Sequence, residues 1–204
     1  MTKKILIPII VLFIANIVVA QRFDGGALVG FNGTQVEGDS YKGYHKPGLV
    51  GGFYVETDIV PAFFAAFEIK YAQKGARKKT TEKDPEQYIM RLNYIDIPVY
   101  VAFRSSERTA ILAGLSTGFL LIGKEFDEYG EFPPQDQNKF NTIDLQALIG
   151  FQFEMSDNLK TDLRFAYSLL PIRDKPNVEP PYYWEGNQFN NVITLALYYQ
   201  IGRR

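Results

Sequence analysis

An alternation of period two runs through most of this chain and is sharpest at residues 159–167. Leu159, Thr161, Leu163, Phe165 and Tyr167 alternate there with Lys160, Asp162, Arg164 and a small Ala166. Neighbouring side chains of a β-strand point to opposite faces, so the segment has one apolar face and one charged face. Seven other segments repeat the pattern, at residues 23–34, 47–57, 62–74, 88–103, 108–122, 140–154 and 188–201. Their lengths suit a membrane strand, which needs roughly 9–11 residues. No helical period competes in any of them.

The connections alternate in length. Short turns are predicted at 58–61, 104–107 and 156–158, and long polar connections at 35–46, 75–87, 124–139 and 171–187. Outer-membrane barrels have short turns on the periplasmic side and long loops outside. With both termini periplasmic, every long connection here falls on the outer side. A soluble sandwich supplies no reason for that alternation.

The first twenty residues read as an address. Lys3 and Lys4 precede an apolar run at 5–19, and Val18-Val19-Ala20 ends it. This is the layout of a cleaved signal peptide, 1–20, ahead of one domain, 21–204. Cleavage lowers Lys+Arg from 22 to 20 and leaves Asp+Glu at 23, so the mature charge is 20 − 23 = −3. That balance argues against nucleic acid as a partner. The chain has no cysteine, which excludes a lipoprotein anchor, disulfides and thiolate metal sites. No second apolar run is long enough for a spanning helix, so a membrane form must be a closed barrel.

The polar faces carry Gly26, Gly30, Gly52, Gly114, Gly118 and Gly150, and the other faces carry bulky Phe, Ile and Leu. Small residues suit a crowded interior and bulky apolar ones suit lipid. A lipocalin-like carrier would invert this arrangement. With about eight strands the interior is filled by side chains and no solute pore is expected. The expected fold is therefore all-β: a closed antiparallel up-and-down transmembrane β-barrel.

Particular runs carry a family likeness. Gly30-Phe31-Asn32, Pro47-Gly48 through Glu56, Tyr71-Ala72-Gln73-Lys74-Gly75 and Tyr94-Ile95-Asp96-Ile97-Pro98 resemble the PorT-type outer-membrane β-barrel proteins of the Bacteroidetes. The resemblance extends from about Phe23 to Ile201. It implies an eight-stranded barrel in the outer membrane. The founding member is linked to protein secretion and gliding, a role that the resemblance does not by itself carry over.

Eight charges fall on the inward faces: Glu68, Lys70, Asp96, Asp144, Glu154, Lys160, Asp162 and Arg164. A three-residue turn at 156–158 sets Glu154 opposite Lys160, Gln152 opposite Asp162 and Gly150 opposite Arg164. Buried charges must be paired, so a salt-bridged plug is expected rather than an ion-conducting lumen. Pro98 lacks an N–H in a sheet without edges, which predicts a bulge or a broken ladder bond beside Asp96.

The outer loops hold the remaining candidates. His45 near Asp39 is the alternative enzymatic reading, a site at the outer rim. Ala113–Gly118 imitates a phosphate-binding glycine loop but lies inside a strand and lacks a following Gly-Lys-Ser/Thr. Lys74, Arg77, Lys78, Lys79 and Lys83 form a basic run suited to lipopolysaccharide phosphates. Glu125, Asp127, Glu128, Glu131 and Asp136 make the third loop acidic, with no EF-hand spacing. Pro171, Pro176, Pro180 and Pro181 with Tyr182, Tyr183 and Trp184 make the fourth loop a candidate partner surface. The expected role is non-enzymatic, without metal or cofactor. The expected form is a monomer that meets outer-membrane lipid, lipopolysaccharide and other envelope proteins. An accessory part in a secretion or gliding system is a further alternative.

Overall fold

The computed structural model of the chain describes residues 23–39, 41, 43–78, 80, 82, 85–133, 139–174 and 187–201. The expected signal peptide and Tyr182, Tyr183 and Trp184 lie outside these. The described residues form β1 (Phe23–Glu37), β2 (Lys46–Val60), β3 (Phe63–Arg77), β4 (Ile89–Arg104) and β5 (Thr109–Asp127). There follow β6 (Gly130–Glu131), β7 (Ile143–Ser156), β8 (Leu159–Ser168), β9 (Arg173–Asp174) and β10 (Asn187–Gln200). β6 and β9 are two-residue additions to β5 and β10. The eight long strands pair antiparallel in chain order, and β1 also pairs β10. The sheet thus closes on itself and has no free edge. Closure leaves no edge strand with a row of unpaired backbone groups in hydrocarbon.

Parity decides which way each side chain points. Odd residues of β1 to β4 face out, so Val29, Phe31, Phe53, Phe67 and Val99 form an exposed apolar belt. Phe31 is 66 % exposed, while Glu68 and Asp162 are each 0 % exposed. This is a water-soluble protein turned inside out, and it excludes the lipocalin arrangement. The lumen holds buried tyrosines and aliphatics in separate clusters, one around Phe64, Tyr100 and Leu112 and another around Leu28, Tyr54 and Tyr198.

Two irregularities position the interior. Asn93 partners Ile122 but Tyr94 partners Leu120, so Leu121 is an extra residue in β5. Beyond this bulge the parity of β5 reverses, and Glu125 points inward. On the other side of β4, the ladder with β3 holds at Phe67–Val99 and at Lys70–Asp96 but skips Glu68–Pro98 and Ile69–Ile97. Pro98 keeps its partner Ser116 on β5. The missing proline donor therefore breaks the ladder on the β3 side without shifting the register.

The turn after β7 is tighter than the sequence suggests. Strand pairing runs through Ser156–Leu159, with a register shift between Glu154 and Ser156 that leaves Met155 unpartnered. The three expected cross-strand pairs, Glu154–Lys160, Gln152–Asp162 and Gly150–Arg164, stand in register.

Candidate functional site: a braced lumen and a closed mouth

Arg164 of β8 organises the middle of the lumen. Its guanidinium donates from Nη1 and Nη2 to the two carboxylate oxygens of Glu68, both at 3.1 Å, and from Nη2 to Asp162 Oδ2 at 2.8 Å. Glu68 lies on β3, across the barrel from β8, so this fork spans non-neighbouring strands. The Tyr198 hydroxyl donates to Glu68 at 2.9 Å, and Lys70 Nζ stands 3.3 Å from the same carboxylate. Gln152 donates to Asp162 at 2.9 Å. The guanidinium plane also lies 4.6 Å from the Tyr100 ring centroid. Two carboxylates and two cations are thus held together with every bond inside the sheet. A bidentate fork fixes geometry in a way a lysine cannot.

One tier nearer the long loops, Lys74 takes the central place. Its ammonium donates to Asp96 at 2.9 Å, Gln146 at 3.0 Å and Asp144 at 3.3 Å, which uses all three protons. Asp144 also accepts from Ser168 at 2.6 Å and Asn190 at 2.8 Å. Gly118 makes this possible. A Cβ there would meet Asp96 Oδ1 at 2.6 Å. Between the two tiers lies a cavity of about 20 Å³ lined in part by Lys70, Asp96, Ser116, Gln146 and Arg164. That is room for about one water molecule.

The two ends are closed differently. At the short-turn end Lys160 pairs with Glu56 of β2 and lies 5.6 Å from the Phe64 ring centroid. Glu154, expected in the lumen, is instead exposed. It stands near the end of β7, opposite Lys160 on the ladder, whose ammonium pairs with Glu56 instead. At the long-loop end the segment after β8 folds into the mouth. Ile172 is fully buried, and Arg173 donates to Glu125 at 2.7 Å and 3.0 Å and to Gln188 at 2.9 Å. The Tyr88 hydroxyl donates to Glu125 as well, and the Arg173 guanidinium stacks 4.5 Å from the Phe140 centroid. Burial and the Glu125 carboxylate together push the Tyr88 hydroxyl well above its usual range.

The remaining sequence candidates separate. Of the eight expected lumen charges, Glu68, Lys70, Asp96, Asp144, Lys160, Asp162 and Arg164 are buried inside. Lys74, read as part of a basic outer loop, is a lumen residue, because it is the last residue of the expected strand 62–74 and shares the inward parity of Glu68 and Lys70. Lys78 is held by Glu86 at 2.7 Å, and Lys79 and Lys83 lie outside the described residues. The acidic run does not form one cluster. Glu125 goes inward, Glu131 pairs Lys124 at 2.8 Å, and Asp127 accepts the Tyr129 amide at 2.8 Å. Asp136 lies outside the described residues.

His45 is exposed and donates its amide to the Gly43 carbonyl. Asp39 accepts the Tyr41 amide at 2.7 Å. Its carboxyl is pushed up to about 6, mainly by burial, against the pull of that hydrogen bond and of Arg173. No hydrogen bond joins His45 to Asp39. The Ala113–Gly118 run lies within β5, with Gly114 and Gly118 facing the lumen.

Sequence reasoning also missed Glu56, Glu125 and Arg173. Glu56 shares the polar parity of Gly52 and Tyr54, which was a usable signal. Glu125 depends on the Leu121 bulge and Arg173 on a loop that folds inward, and neither has a local signature.

The family model described as "Outer membrane protein beta-barrel domain" matches residues 19–174. Among solved structures, Neisserial surface protein A (NspA) is similar over 89% of this chain and 99% of its own, with a TM-score of 0.53 and 12% identity. Ail, the attachment invasion locus protein of Yersinia pestis, solved with the heparin analogue sucrose octasulfate, is similar over 88% of this chain and 99% of its own. Its TM-score is 0.51 and its identity 14%. No curated protein matches the chain. At these identities the two structures speak for the fold alone.

Proposed function

This chain belongs to the outer membrane protein beta-barrel domain family, and from that premise we propose that it works as a non-enzymatic, membrane-embedded scaffold with a sealed lumen. The observation that carries the reading is the cross-lumen bracing. Arg164–Glu68, Lys74–Asp144 and Lys160–Glu56 each tie together strands that are not neighbours. Ions in transit would need to displace these partners, and the mid-lumen cavity holds about 20 Å³. The long-loop end is the part available to partners. The runs Tyr71–Gly75 and Tyr94–Pro98 support a finer kinship with the PorT-type proteins of the Bacteroidetes. In that reading the loops, or the periplasmic turns, engage other envelope proteins.

Reconstitution into planar bilayers tests the sealed lumen. The protein is expected to give no unitary conductance while it shows heat-shifted migration on gels, the sign of a folded barrel. Stepwise porin-like currents from the folded species would refute the reading.

A further inference from the structure

The outer face of β3, β4 and β5 carries three cations that the lumen does not use. Arg91 and Lys124 stand directly opposite each other across β4 and β5. Arg77 lies on β3, two residues beyond Gly75, the cross-strand partner of Arg91. All three are exposed. They sit just past the apolar belt, since Ile122 is two residues below Lys124 and Ile95 is four below Arg91. Like charges directly opposite on a ladder destabilise it. Among the described residues no carboxylate pairs Arg77 or Arg91. The Arg91 guanidinium rests 4.7 Å from the Phe126 ring centroid. Lys124 reaches Glu131 at 2.8 Å, but both side chains are more than two-fifths exposed, and such a pair is worth little.

We propose that Arg77, Arg91 and Lys124 form a clamp for the phosphate groups of a phosphorylated lipid headgroup in the outer leaflet. A phosphate between Arg91 and Lys124 turns their repulsion into two charge-assisted contacts, and guanidinium groups suit phosphate geometry. Their aliphatic stems lie along the apolar belt while the charged ends reach the headgroup level. This inference rests on the reading that the long loops face outward, which puts these cations at the outer leaflet. It also relocates the expected lipopolysaccharide contact. Arg77 remains from the basic run, while Arg91 and Lys124 come from strands the run does not include.

The test uses the full mature protein in phosphatidylcholine vesicles doped with bis-phosphorylated or dephosphorylated lipid A. Native mass spectrometry after detergent extraction measures the lipid retained. Wild type is expected to retain the phosphorylated form at least about tenfold over the dephosphorylated form, and R91S/K124S to lose that preference. In vesicles without lipid A the same variant is expected to unfold at higher urea than wild type, because a repulsion is gone. Equal retention of both lipids by wild type, or an unchanged preference in the variant, overturns the clamp. Should the double variant not fold, Arg77→Ser and Lys124→Gln singly must each lower the preference. Heat-shifted migration and planar-bilayer conductance run alongside report on the barrel and its sealed lumen, so loss of the clamp and loss of the scaffold reading are distinguishable.

Discussion

Replacing Arg164 with methionine keeps much of the side-chain volume and removes the charge at the centre of the lumen. Two carboxylates lose their principal partner. Glu68 keeps Tyr198 at 2.9 Å and Lys70 at 3.3 Å, whereas Asp162 keeps Gln152 at 2.9 Å as its remaining side-chain partner. Both carboxylates are 0 % exposed, so neither reaches water. Removing one member of a buried pair costs about 3–5 kcal/mol, and the residual partners of Glu68 place R164M toward the lower half of that range. With a urea slope of about 2 kcal/mol/M, the unfolding midpoint should fall by about 2 M. Urea titration of vesicle-embedded protein, read by heat-shifted migration, measures this. The double variant R164M/D162N leaves Glu68 paired with Lys70 at 3.3 Å and strands no carboxylate, so it should recover most of the loss. An unchanged midpoint in R164M, or a double variant as weak as the single, would refute the reasoning.

Other perturbations read other parts of the molecule. In Gly118→Val the new side chain meets Asp96 Oδ1 and pushes it from Lys74, so the urea midpoint should fall by the equivalent of about 1–3 kcal/mol. No loss in this variant would show that the close approach is not needed. Asp39, with its carboxyl raised to about 6, binds its proton more tightly in the folded loop than in the unfolded chain. Its stabilisation is thus full below about 3.8 and lost as pH rises through about 6. Protection of the Gly38, Asp39, Tyr41 and Tyr44 amides, taken relative to the intrinsic exchange rate at each pH, should fall between pH 4.5 and pH 7.5 in wild type, and Asp39→Asn should flatten that change. Arg173→Gln leaves Glu125 without its cation, so exchange at residues 169–173 should quicken while the barrel keeps its heat-shifted migration. Unaltered exchange there would mean that Arg173 does not hold the mouth closed.

Most of the barrel was legible because a two-residue period is a local property. Leu159 to Tyr167 shows both faces in nine letters, and closure is seen in the ladder between β1 and β10. Strand ends were less legible. β1, β3 and β5 run past their expected limits to Glu37, Arg77 and Asp127, because pairing continues where the composition has already turned polar. Inside the lumen, parity alone located Glu68, Asp162 and Arg164, and the same parity within the expected strand 62–74 would have located Lys74. It could not locate Glu125, since one extra residue at Leu121 reverses the count. Nor could it name partners. Lys160 faces Glu154 in register yet bonds to Glu56, because cross-strand neighbours are set by the ladder and lumen contacts by the curvature of the closed sheet.

The bracing across the lumen has a consequence for how the barrel comes to be correct. Each bond joins strands far apart in the pairing order, so it forms only when the whole sheet has curled in one register. A slip of one residue would turn every side chain of a strand to the opposite face. Glu68, Lys70 and Lys74 would then point into lipid, where each Lys alone costs about 2–4 kcal/mol near the bilayer midplane. The same charges that fill the finished barrel therefore act as its proofreading during assembly: hydrocarbon rejects the misaligned sheet, and Arg164 and Lys74 recognise the aligned one.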